Sequence, residues 1–124
     1  MFEKTEAFST IAVPDTDAAR AFYTDVLGVR TTDEHGLVTL HLMGGERPTL
    51  LYPKPDHEPA TYTVLNFKVD DIDATVDGLV ERGVEFLRYD DTPQDERGIM
   101  REEGPFIAWF TDPAGNVLSV LQER

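Results

Sequence analysis

The chain has 124 residues, 40% of them hydrophobic and 28% charged, which suits one compact domain with a real core. Its formal charge of -13 repels phosphate backbones and anionic lipid, and so argues against nucleic-acid and membrane partners. The absence of cysteine excludes disulfides, thiolate metal ligands and cysteine nucleophiles. No run approaches the roughly 18 apolar residues of a membrane span, and the N-terminal MFEKTEAFST lacks the basic and apolar regions of a signal peptide, so a cytoplasmic protein is expected. The acidity fits two readings, adaptation to high salt or an acidic surface that aids solubility.

In chain order, Phe8 to Val13 reads as a strand. Asp15 stands where a helix N-cap should, and Ala18, Phe22 and Val26, with Ala19 and Tyr23 beside them, make an apolar face that ends at Gly28. A strand is expected from Val29 to about Asp33, then a turn at His35-Gly36, then a strand from Leu37 to Met43. In that strand Val38, Leu40 and Leu42 share one face, while Thr39, His41 and Met43 share the other. Gly44-Gly45 breaks it, and Thr49 to Tyr52 adds a short third strand. Pro53, Pro55 and Pro59 then permit neither a helix interior nor a central strand, so residues 53–61 read as a linker, with His57 an exposed part of it.

The order then repeats. A strand from Tyr62 to Val69 leads to a helix capped by Asp70 or Asp71 and carrying Ile72, Val76, Leu79 and Val80. Gly83 ends the helix, and a strand from Val84 to Arg88 follows. A polar loop runs from Tyr89 to Pro105. Phe106 to Thr111 and Val117 to Gln122 pair through DPAGN, where Pro113 presets a turn and Gly115 can take positive φ. Val13 falls on Val69, Asp15 on Asp71, Asp17 on Asp73 and Ala18 on Ala74, as in two copies of one supersecondary unit. Each copy reads strand, helix, strand, strand, strand.

These stretches carry a resemblance. FSTIAVPDTDAARAFYTDVLG, NFKVDDIDATVDGLVERGVEF and IAWFTDPAGNVLSVL, in this order, resemble the vicinal oxygen chelate superfamily of glyoxalases, bleomycin-resistance proteins and extradiol dioxygenases over nearly the whole chain. The resemblance implies an α+β fold: a single domain over 1–124 of two βαβββ modules, about 8–52 and 62–122, forming an open barrel-like sheet around a small-molecule pocket. It also implies a homodimer. Function in that superfamily usually rests on a divalent metal held by His and carboxylate side chains. Carried over by position, those ligands fall on Phe8 and Val64, each placed alike ahead of its capping aspartate, on Ser119 after the turn glycine, and near Leu51.

Phenylalanine and valine have no lone pair for a cation, and a single serine hydroxyl is a poor ligand, so neither a metal nor another cofactor is expected. The bleomycin-resistance branch is similar in this respect, which implies ligand binding without metal chemistry. If Phe8, Val64 and Ser119 point inward as their counterparts do, strand parity adds Thr10, Asn66 and Lys68, with Trp109 opposite Ser119 across the last hairpin. Thr39 and His41 belong to the same face of their strand, and Tyr52 stands at a strand end beside the linker. The result is a largely apolar site with a few polar groups.

Each of these residues also has a structural role to weigh. His41 could be a general base or a displaced metal ligand, or a hydrogen-bonded packing residue. Lys68 could meet an anionic ligand or extend to solvent, and Trp109 could be core or ligand platform. In the Tyr89 to Pro105 loop, Arg97 or Arg101 could reach an anionic substrate as part of a lid, and Asp95, Glu96, Glu102 and Glu103 could hold a cation; a solvated charged surface is the simpler reading. The leading expectation is a metal-less protein that binds a small, largely apolar molecule, by sequestration or with unassigned catalysis. Two alternatives stay open: a metal-dependent lyase, isomerase or dioxygenase with displaced ligands, and a dimeric interaction module with a vestigial pocket.

Overall fold

The computed structural model describes residues 1–124 except Glu46 and Glu103. The chain divides into two compact units, Met1–His57 and Glu58–Arg124, with the boundary inside the proline-rich stretch. The class is α+β: each unit holds one open sheet and one helix.

The first unit contains β1 (Ser9–Val13), α1 (Thr16–Ala21), β2 (Arg30–Glu34), β3 (Leu37–Leu42) and β4 (Arg47–Pro53). Its sheet runs β1-β4-β3-β2, with β1 parallel to β4 and the other neighbours antiparallel. A parallel pair needs a crossover, and α1 begins it. Asp15 starts α1 as expected, its carboxylate accepting from the amides of Asp17 at 3.0 Å and Ala18 at 3.1 Å. His35 (φ 52) and Gly36 (φ 80) both take positive φ, the requirement of a two-residue hairpin turn between β2 and β3.

The buried stripe of α1 differs from the expected one. Ala19 and Tyr23 are buried, Ala18 is exposed, and Phe22 and Val26 are only half-buried. Two adjacent stripes offered four-residue spacing, and the one carrying the tyrosine ring buries more area. The helix then widens into a π-helical turn over Phe22–Val26, where the Leu27 amide donates back to Phe22 O at 3.2 Å, and this carries Val26 away from the stripe. The core face of the sheet is the register row Ile11, Leu51 and Val38 together with Val13 and Leu40, all buried. His57, expected as exposed linker, is half-buried, its amide donating to Lys54 O at 3.0 Å.

The second unit contains β5 (Thr63–Lys68), α2 (Ile72–Glu81), β6 (Phe106–Thr111) and β7 (Val117–Gln122), in sheet order β5-β7-β6. Of the two candidate caps, Asp71 is the one used: its carboxylate accepts from the Ala74 amide at 3.1 Å. The Gln122 side chain takes the Ile72 amide at 2.9 Å and so ties the helix start to the end of β7. Ile72, Val76 and Leu79 form the buried face of α2, over the rows Leu65–Leu118–Phe110 and Phe67–Val120–Ala108. Val80, expected on that face, is 54% exposed because it lies one helical position past the stripe that Val76 and Leu79 complete.

The strand expected at Val84 to Arg88 is not formed. Among the described residues of this run, the Leu87 amide alone donates a backbone hydrogen bond to β6, to Trp109 O at 2.8 Å. The cause is Gln94, whose amide group donates to Leu87 O at 2.9 Å and to Gly98 O at 2.8 Å, and accepts from the Tyr89 amide at 2.8 Å. A side chain thus takes the backbone groups that a ladder would have used. Farther along β6, Met100 exchanges backbone hydrogen bonds with Ile107 at 2.8 and 3.1 Å. The polar loop is therefore folded against the edge of the sheet.

Candidate functional site

On the sheet face of the first unit opposite the core row, Thr10, Leu50, Thr39 and Thr32 are successive register partners. His41 follows on the same face, between Pro48 and Arg30, and its Nε2 lies 2.8 Å from Thr32 Oγ1. Tyr52 stands beside Ala12 and is exposed. Phe8 precedes β1 and is 66% exposed, an unusual amount for so large an apolar side chain.

In the second unit Asn66, Ser119 and Trp109 are register partners across β5, β7 and β6, so they lie side by side on the face away from the Leu118 row. Ser119 is fully buried, and its hydroxyl donates to Asn66 Oδ1 at 2.5 Å. Lys68 heads the next row, but its ammonium pairs with Glu123 at 2.9 Å, both side chains being mostly exposed, a contact worth little in water. Val64 sits at a register shift between Thr63 and Leu65. The bulge breaks strict alternation there, so Thr63, and not Val64, is the register partner of Val117.

One contributor escaped sequence reasoning. The Tyr89 ring meets Trp109 edge to face, with centroids 5.4 Å apart, and burial pushes its phenol pKa up. Its placement depends on the run of residues 84–89 along β6, which no local pattern reveals.

The loop arginines are already engaged. Arg97 pairs with Asp73 at 2.6 Å and also with Asp77; Arg101 pairs with Asp73 at 2.6 Å and with Asp95 at 3.1 Å. Asp95 further accepts from the amides of Arg97 and Ile99, each at 2.9 Å. The hydrogen bond from Arg101 holds the Asp73 carboxyl below the usual range, with the charge of Arg97 adding to it. Partial burial works against ionisation of Asp95, but the Ile99 amide, Arg101 and the Arg97 amide outweigh it and hold that carboxyl low as well. Both groups bind protons more weakly folded than unfolded. Their contribution is therefore complete above the ordinary carboxylate pKa and is lost as pH falls through the lower folded values. Protection of the Arg97 and Ile99 amides, corrected for intrinsic exchange, is expected to hold from pH 7 to about 5 and to fall below about pH 4. Asp95→Asn should show the low protection already at neutral pH, and equal protection in both proteins at pH 7 would contradict this assignment.

The donor set does not fit the superfamily metal. Phe8 and Val64 offer no donor, Leu51 is buried in the core row, and Ser119 already gives its proton to Asn66. Among the described residues no three His, Asp or Glu side chains converge as a metal site, the loop acids included; Glu103 lies outside the described residues. No described helix is long and apolar enough to cross a membrane.

Two open sheets of this order, each crossed by one helix and together bearing the register rows above, define a class. The chain belongs to the Glyoxalase/Bleomycin resistance protein/Dioxygenase superfamily, whose family model matches residues 7–120. Among solved structures it is similar to TnmS3, an antibiotic binding protein from Streptomyces sp. CB03234, at 26% identity and TM-score 0.70, covering 98% of both chains. A superfamily member from Sphaerobacter thermophilus matches at 23% identity and TM-score 0.70 over 95% of this chain and 98% of its own. The fosfomycin resistance protein FosX from Listeria monocytogenes matches at 15% identity and TM-score 0.73 over 98% and 94%. No curated protein matches the chain.

Proposed function

We propose that this protein, as the homodimer its superfamily resemblance implies, binds a small, largely apolar molecule without a metal and sequesters or carries it. The observation that carries this reading is the chemistry of the inherited ligand positions: Phe8, Val64 and a Ser119 hydroxyl committed to Asn66. These side chains supply apolar surface and hydrogen bonds, and no cation site. Ligand contacts are assigned within each unit by itself: Phe8, Thr10, His41 and Tyr52 in the first, and Val64, Asn66, Lys68, Trp109 and Ser119 in the second. Likeness to an antibiotic binding protein over 98% of the chain supports binding as the activity.

Elemental analysis of the purified protein and melting curves with a library of small apolar compounds test this reading. Metal well below one equivalent is expected, together with no response to Zn, Ni, Mn or Fe(II). A matched compound at about 100 times its Kd should stabilise by roughly 2.7 kcal/mol, several degrees in Tm. Stoichiometric metal that disappears in His41→Ala would overturn the reading in favour of a metal-dependent enzyme with displaced ligands.

A further inference from the structure

The Asn66–Ser119 contact fixes more than a side chain. A separation of 2.5 Å between two oxygens requires a proton between them, and an amide oxygen carries none, so the serine hydroxyl is the donor. With Oδ1 held in this way, the remaining functional group of Asn66, its NH2, is turned outward from Ser119. Asn66 is exposed whereas Ser119 is fully buried, so the N–H donors are the part of this pair that meets a ligand. An unconstrained amide could present either end; this one has its oxygen turned to the buried serine and presents its NH2.

The neighbour across β7 supplies the second feature. Trp109 stands in the same register row, two strand spacings or about 10 Å from Asn66, and is half-buried with Tyr89 packed against it edge to face. A locked N–H donor and an indole in one register row match a flat, apolar molecule that carries an oxygen acceptor. We infer that Asn66 is the specificity-determining residue of the site, selecting planar apolar ligands that carry a carbonyl-type oxygen, and that Ser119 is the positioning residue that locks its amide. The selection rests on desolvation of that N–H: a ligand lacking the acceptor would strip water from the donor without replacing the hydrogen bond.

This inference builds on the binding reading above, and the test separates the two. The probes are 9-fluorenone and fluorene, matched in ring system and differing in the carbonyl. The readouts are isothermal calorimetry and quenching of Trp109, the single tryptophan of the chain, with Trp109→Phe as the optical control. Wild type is expected to bind fluorenone at least tenfold more tightly than fluorene. Asn66→Asp keeps an acceptor for Ser119 and removes the donor, so the fluorenone-to-fluorene preference should collapse to about onefold. Ser119→Ala frees the amide to rotate and should reduce the preference partway, with the Asn66→Asp, Ser119→Ala double variant no worse than Asn66→Asp alone. Equal affinities in wild type, or a ratio unchanged by Asn66→Asp, would overturn the inference and leave the binding reading standing. Binding of neither probe would likewise overturn the inference, the binding reading being decided by the compound library and metal analysis.

Discussion

Asp112→Ala is expected to lower the melting temperature by about 10 °C. Asp112 is 3% exposed, and its carboxylate accepts from the Ala114 and Asn116 amides at 2.9 Å each and from Asn116 Nδ2 at 3.0 Å. Gly115, at φ 84, donates its amide to Asp112 O at 3.0 Å and closes the turn on its other side. Truncation leaves several donors without the acceptor that organises them, at about 1–3 kcal/mol each where buried, or roughly 3 kcal/mol after relaxation. A domain of this size loses about 4 °C per kcal/mol. Asp112→Asn keeps the shape and one acceptor and should fall between. Melting curves of the three proteins check this, and a loss under about 3 °C for alanine would mean that water replaces the carboxylate.

Phe110→Ala should cost more still, about 4 kcal/mol. Phe110 is fully buried in the row with Leu65 and Leu118, and meets the Phe86 ring at 5.7 Å between centroids. The cavity falls where the extended segment 84–88 leans on the sheet, beside the Leu87–Trp109 backbone hydrogen bond. Amide exchange at Leu87 is therefore expected to rise to the rate of an open segment while β7 stays protected. Uniform loss of protection would show instead that the segment and the sheet open together. Against a typical total stability of about 5–15 kcal/mol, such a variant remains folded near room temperature.

Much of the framework was legible because local chemistry fixed it. The cap Asp15, the choice of Asp70 or Asp71 for the second cap, the His35-Gly36 and DPAGN turns and the two-residue alternation of β3 each depend on neighbours only a few positions away. The pairing of Trp109 with Ser119 followed from the turn, since a closed hairpin sets its own register. The failures share a cause. Residues 84–88 carry the composition of a strand, yet Gln94 takes the Leu87 carbonyl; Val80 has the right spacing but lies on the wrong side of a stripe. Each outcome was decided by a partner outside the pattern being read. The same holds for Tyr89, whose importance lies in a ring contact across the loop.

The parallel pairing of β1 with β4 also bears on the order in which the first unit can be assembled. The β2–β3 hairpin closes over two residues, and β4 adds to it after a short turn, so those ladders are local. Ser9, by contrast, has no partner until Thr49 exists, and the same is true of Thr63, which waits for Val117. Pairings between such distant positions carry the entropy of closing a long chain segment before any contact offsets it. In each unit the strand made first is thus the one joined last, and its unpaired edge is what a growing chain exposes for longest.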